Sequence, residues 1–114
     1  MTLTVTSIEA HERGRVYHVT AEDRTLKVLL TFHALDRIAK WRLTDQTVLQ
    51  ALMDPEEVLR GHRDRFIAHR RAREHVVRVI YEYDGKLPVV ITVYNPVAER
   101  YFKGGGNYED RILA

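Results

Sequence analysis

Apolar and polar residues change period twice along this chain, and those changes divide it into elements. Leu3-Thr4-Val5-Thr6-Ser7-Ile8 alternates, and so does Val16 to Thr20, with Glu12-Arg13-Gly14 between them. Alternation sends successive side chains to opposite faces of a strand, so the spacing predicts a short hairpin. Leu26-Lys27-Val28-Leu29-Leu30 is rich in aliphatics and predicts another strand. The period then becomes helical. Thr31 can cap a helix running through Arg42 with Leu35, Ile38 and Ala39 on one face. Thr44 can cap a second, carrying Val48, Leu49, Leu52 and Met53. Asp54-Pro55 punctuates that helix, because the residue before a proline is driven out of the helical region. Two short antiparallel helices joined at Leu43 are expected.

In the second half the period returns to two. Arg65 to Arg71, with Phe66 and Ile67, is a candidate strand. From His75 to Tyr83, one face carries Val77, Val79, Tyr81 and Tyr83, and the other Val76, Arg78, Ile80 and Glu82. Asp84-Gly85 marks a tight hairpin. Leu87 to Tyr94 is apolar on both faces, which suits a central strand, and Asn95-Pro96 ends it. Gly104-Gly105-Gly106 reads as a flexible turn before a docked end. The order predicts an α+β fold, with two helices in the N-terminal half packed on one face of a mostly antiparallel sheet. An extra β-hairpin precedes them. One compact domain is expected, with residues 1–25 as the hairpin extension and 26–114 as the main body.

Composition narrows the class. A chain of 114 residues suits one domain, and 45% hydrophobic residues exclude wholesale disorder. The absence of cysteine excludes a disulfide framework and a thiolate metal site. No apolar run approaches the ~20 residues that span a membrane, and Met1 to Ala10 lacks the basic start and apolar stretch of a secretory signal. A cytoplasmic protein without membrane contact is expected. The net charge is only +2 but unevenly spread: 7 basic and 9 acidic residues through Leu59, then 11 basic and 7 acidic. Seven arginines lie between Arg60 and Arg78 against Asp64 and Glu74. Arginine outnumbers lysine 14 to 4, which favours bidentate contacts to phosphate or carboxylate. Such a patch suits a polyanion, or else forms a salt-bridged surface.

The run Thr31-Phe32-His33-Ala34-Leu35-Asp36-Arg37-Ile38 resembles the His-Ala-x-x-Arg-hydrophobic opening of a small uncharacterised domain family grouped with the RelE/ParE and BrnT-type toxins. The resemblance continues through Val48 to Pro55, Val90-Ile91-Thr92-Val93-Tyr94, Arg100-Tyr101 and the glycine-containing tail, over residues 26–113. It implies a RelE-like strand–helix–helix–three-strand fold. It also implies a toxin that cleaves mRNA, often on the ribosome, and is neutralised by an antitoxin. ParE-like relatives act instead on DNA gyrase and are not nucleases. A metal-independent endoribonuclease is therefore one expectation, and a non-catalytic module binding a protein target or nucleic acid is the other.

Cleavage through the 2′-hydroxyl of RNA needs a base, a cation for the phosphorane and an acid for the leaving 5′-oxygen. His33 and Arg37, four apart, share a face at the start of the first helix. Arg78 interrupts an apolar strand, so it must snorkel, pair with an acid such as Glu82 or face a polar site. Tyr94 ends its strand and can stack on a base or move a proton. These four are the catalytic candidates. Arg63, His69, Arg70, Arg71, Arg73, Arg100 and Tyr101 are the candidates for RNA contact. The alternatives are structural: a histidine packed on a sheet edge, surface charge that blunts an edge strand, tyrosines that seal the core. His62, His69 and His75 lie seven and six apart, outside zinc-ligand spacings, so neither metal nor cofactor is expected. Expected partners are RNA, including ribosome-bound mRNA, and an acidic antitoxin. The first hairpin offers an edge strand for a homodimer.

Overall fold

The computed structural model describes all 114 residues. Strands β1 (Leu3–His11), β2 (Gly14–Ala21) and β3 (Arg24–Thr31) precede helices α1 (Phe32–Lys40) and α2 (Asp45–Met53). Strands β4 (Glu57–Arg60), β5 (Phe66–Ala72), β6 (His75–Asp84) and β7 (Leu87–Tyr94) follow, then a one-turn helix α3 (Ala98–Tyr101). The fold is α+β. Its seven strands form one mixed sheet in the order β1-β2-β3-β7-β6-β5-β4. Only β3 and β7 run parallel, because the two helices and three strands between them bring the chain back to the same end. The first hairpin joins the sheet along the whole of β3, and β7, apolar on both faces, takes the central place.

Turn chemistry sets the registers. Glu22-Asp23 between β2 and β3 and Arg63-Asp64 between β4 and β5 are left-handed at both residues, with φ of 50° and 61° and of 58° and 59°. Paired positive φ values match the right-handed twist of flanking strands. Asp84 is still paired with Leu87, so the tight loop between β6 and β7 is Gly85-Lys86 rather than Asp84-Gly85, with φ of 60° at the glycine. Gly14 meets a different demand. A Cβ there would lie 2.0 Å from the Leu30 carbonyl oxygen, so only glycine lets β2 start this close to β3.

Both predicted caps form. Thr31 Oγ1 accepts from the Ala34 amide at 3.1 Å and donates to the Val90 carbonyl at 2.8 Å, tying the start of α1 to β7. Thr44 Oγ1 accepts from the Thr47 amide at 3.1 Å. The first helix stops at Lys40, short of the expected Arg42, which is left-handed at φ 56°. Ala34 and Ile38 of α1 and Val48, Leu49, Ala51, Leu52 and Met53 of α2 share one buried cluster with residues of β2, β3, β6 and β7. On β6 the alternation holds: Val77, Val79 and Tyr81 enter that cluster, while Arg78, Ile80 and Glu82 take the opposite face. No helix is long and apolar enough to cross a membrane.

Beyond α3 the chain becomes a strap. Phe102 packs by His69, and the amides of Lys103 and Gly104 reach Glu57. At the β4 edge, the Val58 amide donates to Asn107 and the Glu109 amide to Val58, at 2.8 and 2.9 Å. The strap then turns to the core side, where Asp110 accepts from the hydroxyls of Tyr81 and Tyr83, both at 2.6 Å. Burial and that carboxylate push both phenols above their usual range. Asp110→Ala leaves two phenols without their acceptor, one of them fully buried. We expect a loss of about 2–4 kcal/mol in chemical denaturation, against about 1 for Tyr83→Phe.

Candidate functional site

One end of β6 and β7 gathers the residues with chemistry. Arg78 on β6 stands directly across from Tyr94 on β7 and from His69 on β5. His69 and Glu57 have no exposed surface at all. Buried groups of this kind persist only when every polar atom is met. Glu57 Oε2 lies 2.7 Å from His69 Nδ1 and accepts the Lys103 amide at 3.0 Å; its Oε1 accepts the Gly104 amide at 2.8 Å. Arg78 Nη1 lies 3.0 Å from His69 Nε2. A guanidinium can only donate, so Nε2 accepts, and the proton of a neutral ring sits on Nδ1 facing Glu57. Burial lowers the imidazole from its usual 6.5; the Glu57 bond opposes that shift and the Arg78 charge adds to it.

The same burial lowers the Arg78 guanidinium from its usual value, with Tyr101 and Tyr94 opposing the shift. Arginine nevertheless stays cationic in proteins. Its outer side meets aromatic rings. The guanidinium lies 5.0 Å from the centroid of Tyr101, and a cavity of about 330 Å³ is bounded by Arg78, Trp41, Tyr94, Pro96 and Tyr101. Trp41, Tyr94 and Tyr101 are 41, 40 and 41% exposed, so their faces are open to a ligand. A second hollow of about 430 Å³, bounded by His62, Arg63, Arg65, Ile67, Ile80 and Gly61, also ends on Arg78. Arg78 thus joins an aromatic hollow to a basic one.

The first helix supplies the remaining side. His33 and Arg37 share one face of α1, and Trp41, the next step of the same four-residue spacing, caps its C-terminal end. His33 Nε2 is 3.2 Å from Thr92 Oγ1 on β7, two residues before Tyr94, and Trp41 borders the Arg78 cavity. Arg37 between them bonds Asp36 at 3.1 Å, and its Nε is buried without a partner. Of the four catalytic candidates, Arg78 and Tyr94 line the aromatic hollow, while His33 and Arg37 border neither hollow and His33 reaches β7 at Thr92. Of the candidates for RNA contact, Arg63 borders the basic hollow and Tyr101 the aromatic one, with Arg100 beside it on α3.

The others stand elsewhere. His69 is sealed from solvent, so it cannot itself touch a bound strand and reaches the cleft only through Arg78. Arg70 is spent on Asp54 at the end of α2, bonding its carbonyl at 2.7 Å and its carboxylate at 3.2 Å. Arg71 lies over Phe102 and beside Glu56, and Arg73 forms the β5–β6 turn at φ 61°. Glu82, the expected partner of Arg78, bonds Arg65 instead at 3.1 Å. Sequence reasoning missed Trp41 and Glu57. The four-residue stripe from His33 could have shown the tryptophan; nothing local marks Glu57 as buried. No group of three metal-ligating side chains occurs.

A sequence profile for a family described as Domain of unknown function (DUF4258) matches residues 30–95, from the end of β3 to just past β7. The first hairpin, α3 and the strap lie outside that match. No curated protein and no solved structure matches the chain.

Because the folded state disfavours imidazolium at His69, the unfolded chain binds the extra proton first. Its contribution is complete above the unfolded value of 6.5 and is lost as pH falls through the lower folded value. Denaturant midpoints should therefore drop more steeply below pH 6.5 for the native chain than for His69→Gln.

Proposed function

The chain belongs to the DUF4258 family, and for this member we propose an endoribonuclease that holds single-stranded RNA across Arg78. The observation that carries this reading is the position of one cation where an aromatic hollow meets a basic one. A nucleic acid strand offers the matching alternation, a charged phosphate between flat bases. Phosphates suit Arg63, Arg65 and Arg78, and bases stack on Trp41, Tyr94 and Tyr101, at about 1–3 kcal/mol per base. Unpaired bases are needed for such stacking, which favours a single strand over a duplex.

The reaction follows from RNA's own nucleophile. The 2′-oxygen attacks phosphorus, its proton passes to a base, and the bond to the 5′-oxygen breaks as that oxygen gains a proton. The products are a 2′,3′-cyclic phosphate and a 5′-hydroxyl. His33 is the proton acceptor, exposed and steadied by Thr92. Arg78 neutralises the phosphorane, and the Tyr94 hydroxyl supplies the leaving group's proton. Kinship with the RelE/ParE/BrnT toxins, with both helices on one sheet face, belongs to the same proposal, as does an acidic antitoxin laid over the cleft. One observation favours a binding module instead: His69, the imidazole nearest Arg78, is buried and committed to a carboxylate.

Trp41 is the sole tryptophan and reports on the cleft directly. A short oligouridylate should quench its fluorescence, and Arg78→Ala should weaken that binding by at least about tenfold, the worth of one charge-assisted hydrogen bond. In the presence of EDTA, cyclic-phosphate ends should accumulate on RNA and not on the 2′-deoxy strand. His33→Ala should keep binding and lose cleavage. A cell-free translation reaction covers cleavage that requires the ribosome. Quenching without new ends in either setting would select the binding module, and neither quenching nor new ends in either setting would overturn both.

A further inference from the structure

We propose that Glu57 and His69 are positioning residues that fix the direction of the Arg78 guanidinium through the tautomer of the His69 ring; this rests on the RNA reading of the cleft. Neither residue touches solvent, so neither can meet a ligand. Their arrangement is nevertheless directional. Two strap amides and the ring Nδ1 surround the Glu57 carboxylate. An acceptor so placed holds the imidazole proton on Nδ1 and leaves the Nε2 lone pair aimed at Arg78 Nη1, 3.0 Å away.

A guanidinium rotates about its last bond unless a partner selects one orientation. Glu82 on the same face would be the obvious carboxylate for this task, yet it is engaged by Arg65. Arg78 is instead held by a neutral acceptor on one side and the Tyr101 face on the other. That choice has a chemical consequence. A carboxylate partner would neutralise the cation, whereas a neutral imidazole orients it and leaves its full charge for an incoming anion. The carboxylate stays one ring further back, where it acts on tautomer and orientation. The strap enters the same circuit, since Lys103 and Gly104 hold Glu57 while Tyr101, two residues before Lys103, covers Arg78.

Substituting Glu57→Gln leaves one amide oxygen for three donors. The N–H₂ then faces either a strap amide or the ring, and where it faces the ring the proton moves to Nε2 and the acceptor facing Arg78 becomes a donor. Nitrogen-15 spectra of the histidine rings, taken without RNA, should show Nδ1–H alone in the native chain and a population of Nε2–H in the variant. The Arg78 side-chain signals should pass from slow to fast rotation together with that change. Oligouridylate binding, read by Trp41 quenching, should weaken by roughly tenfold, equal to about 1.4 kcal/mol. His69→Gln, which keeps a neutral acceptor, should stay within about threefold of the native chain, and His69→Leu should match Glu57→Gln.

A folded Glu57→Gln protein with the reversed tautomer, unchanged Arg78 rotation and unchanged RNA affinity would overturn the proposal. The RNA reading would survive that result if Arg78→Ala still abolished binding. Conversely, Arg78→Ala that binds RNA normally would overturn the RNA reading, while the spectra would still decide whether the ring orients the guanidinium. Should Glu57→Gln fail to fold, or fold with the ring proton still on Nδ1, the contrast between His69→Gln and His69→Leu decides. Equal loss in those two variants would reduce His69 to a packing role and refute the proposal.

Discussion

A carboxylate wholly removed from water must be met by donors, and that demand at Glu57 organises half of this structure. Unmet, such a charge costs several kcal/mol even after the protein relaxes around it. Here the donors come from three directions: a ring nitrogen on β5 and two amides of the strap. The strap can supply those amides only by crossing the sheet face at β4 and β5, and that crossing seals His69 as well. Sealing His69 fixes what can face its other nitrogen. Arg78 is the consequence at the surface, a cation rooted in a buried pair rather than loosely solvated.

The second organising feature is the brevity of the parallel pair. β3 meets β7 only through Leu29 with Val89 and Leu30 with Val90. Pro88 has no amide to extend the ladder in one direction. In the other, β3 stops at Thr31, whose hydroxyl both caps α1 and bonds the β7 backbone. The last residues of β7 are thus left for α1 to pack against. This is why a stripe of His33, Arg37 and Trp41 along a helix and its C-terminal cap comes to lie by a strand carrying Thr92 and Tyr94. A longer ladder would have put a strand where the helix now runs.

Much of the fold was legible because its elements obey local rules. Thr31 and Thr44 cap, Leu87 to Tyr94 is central, and β6 alternates as expected. What escaped was short or depended on distant partners. β4 has four residues, too few for a period, and α3 is a single turn. Arg78 was visible as a lone charge in an apolar strand, but its partner was not. Glu82, two residues away, looked the natural choice, whereas the actual acceptor sits across the ladder on β5. His69 looked like one basic residue among many. Only the strap, whose glycine-rich sequence gives no sign of where it docks, makes it a buried one.

The strap also divides the chain into scaffold and site. All seven strands precede Lys103 and Gly104. Their ladders are complete without the strap, whereas Glu57 takes two of its donors, and Arg78 the cover of Tyr101, from residues beyond the last strand. Cutting the chain after β7 would remove no strand of the sheet, yet it would take away what holds Glu57 and covers Arg78.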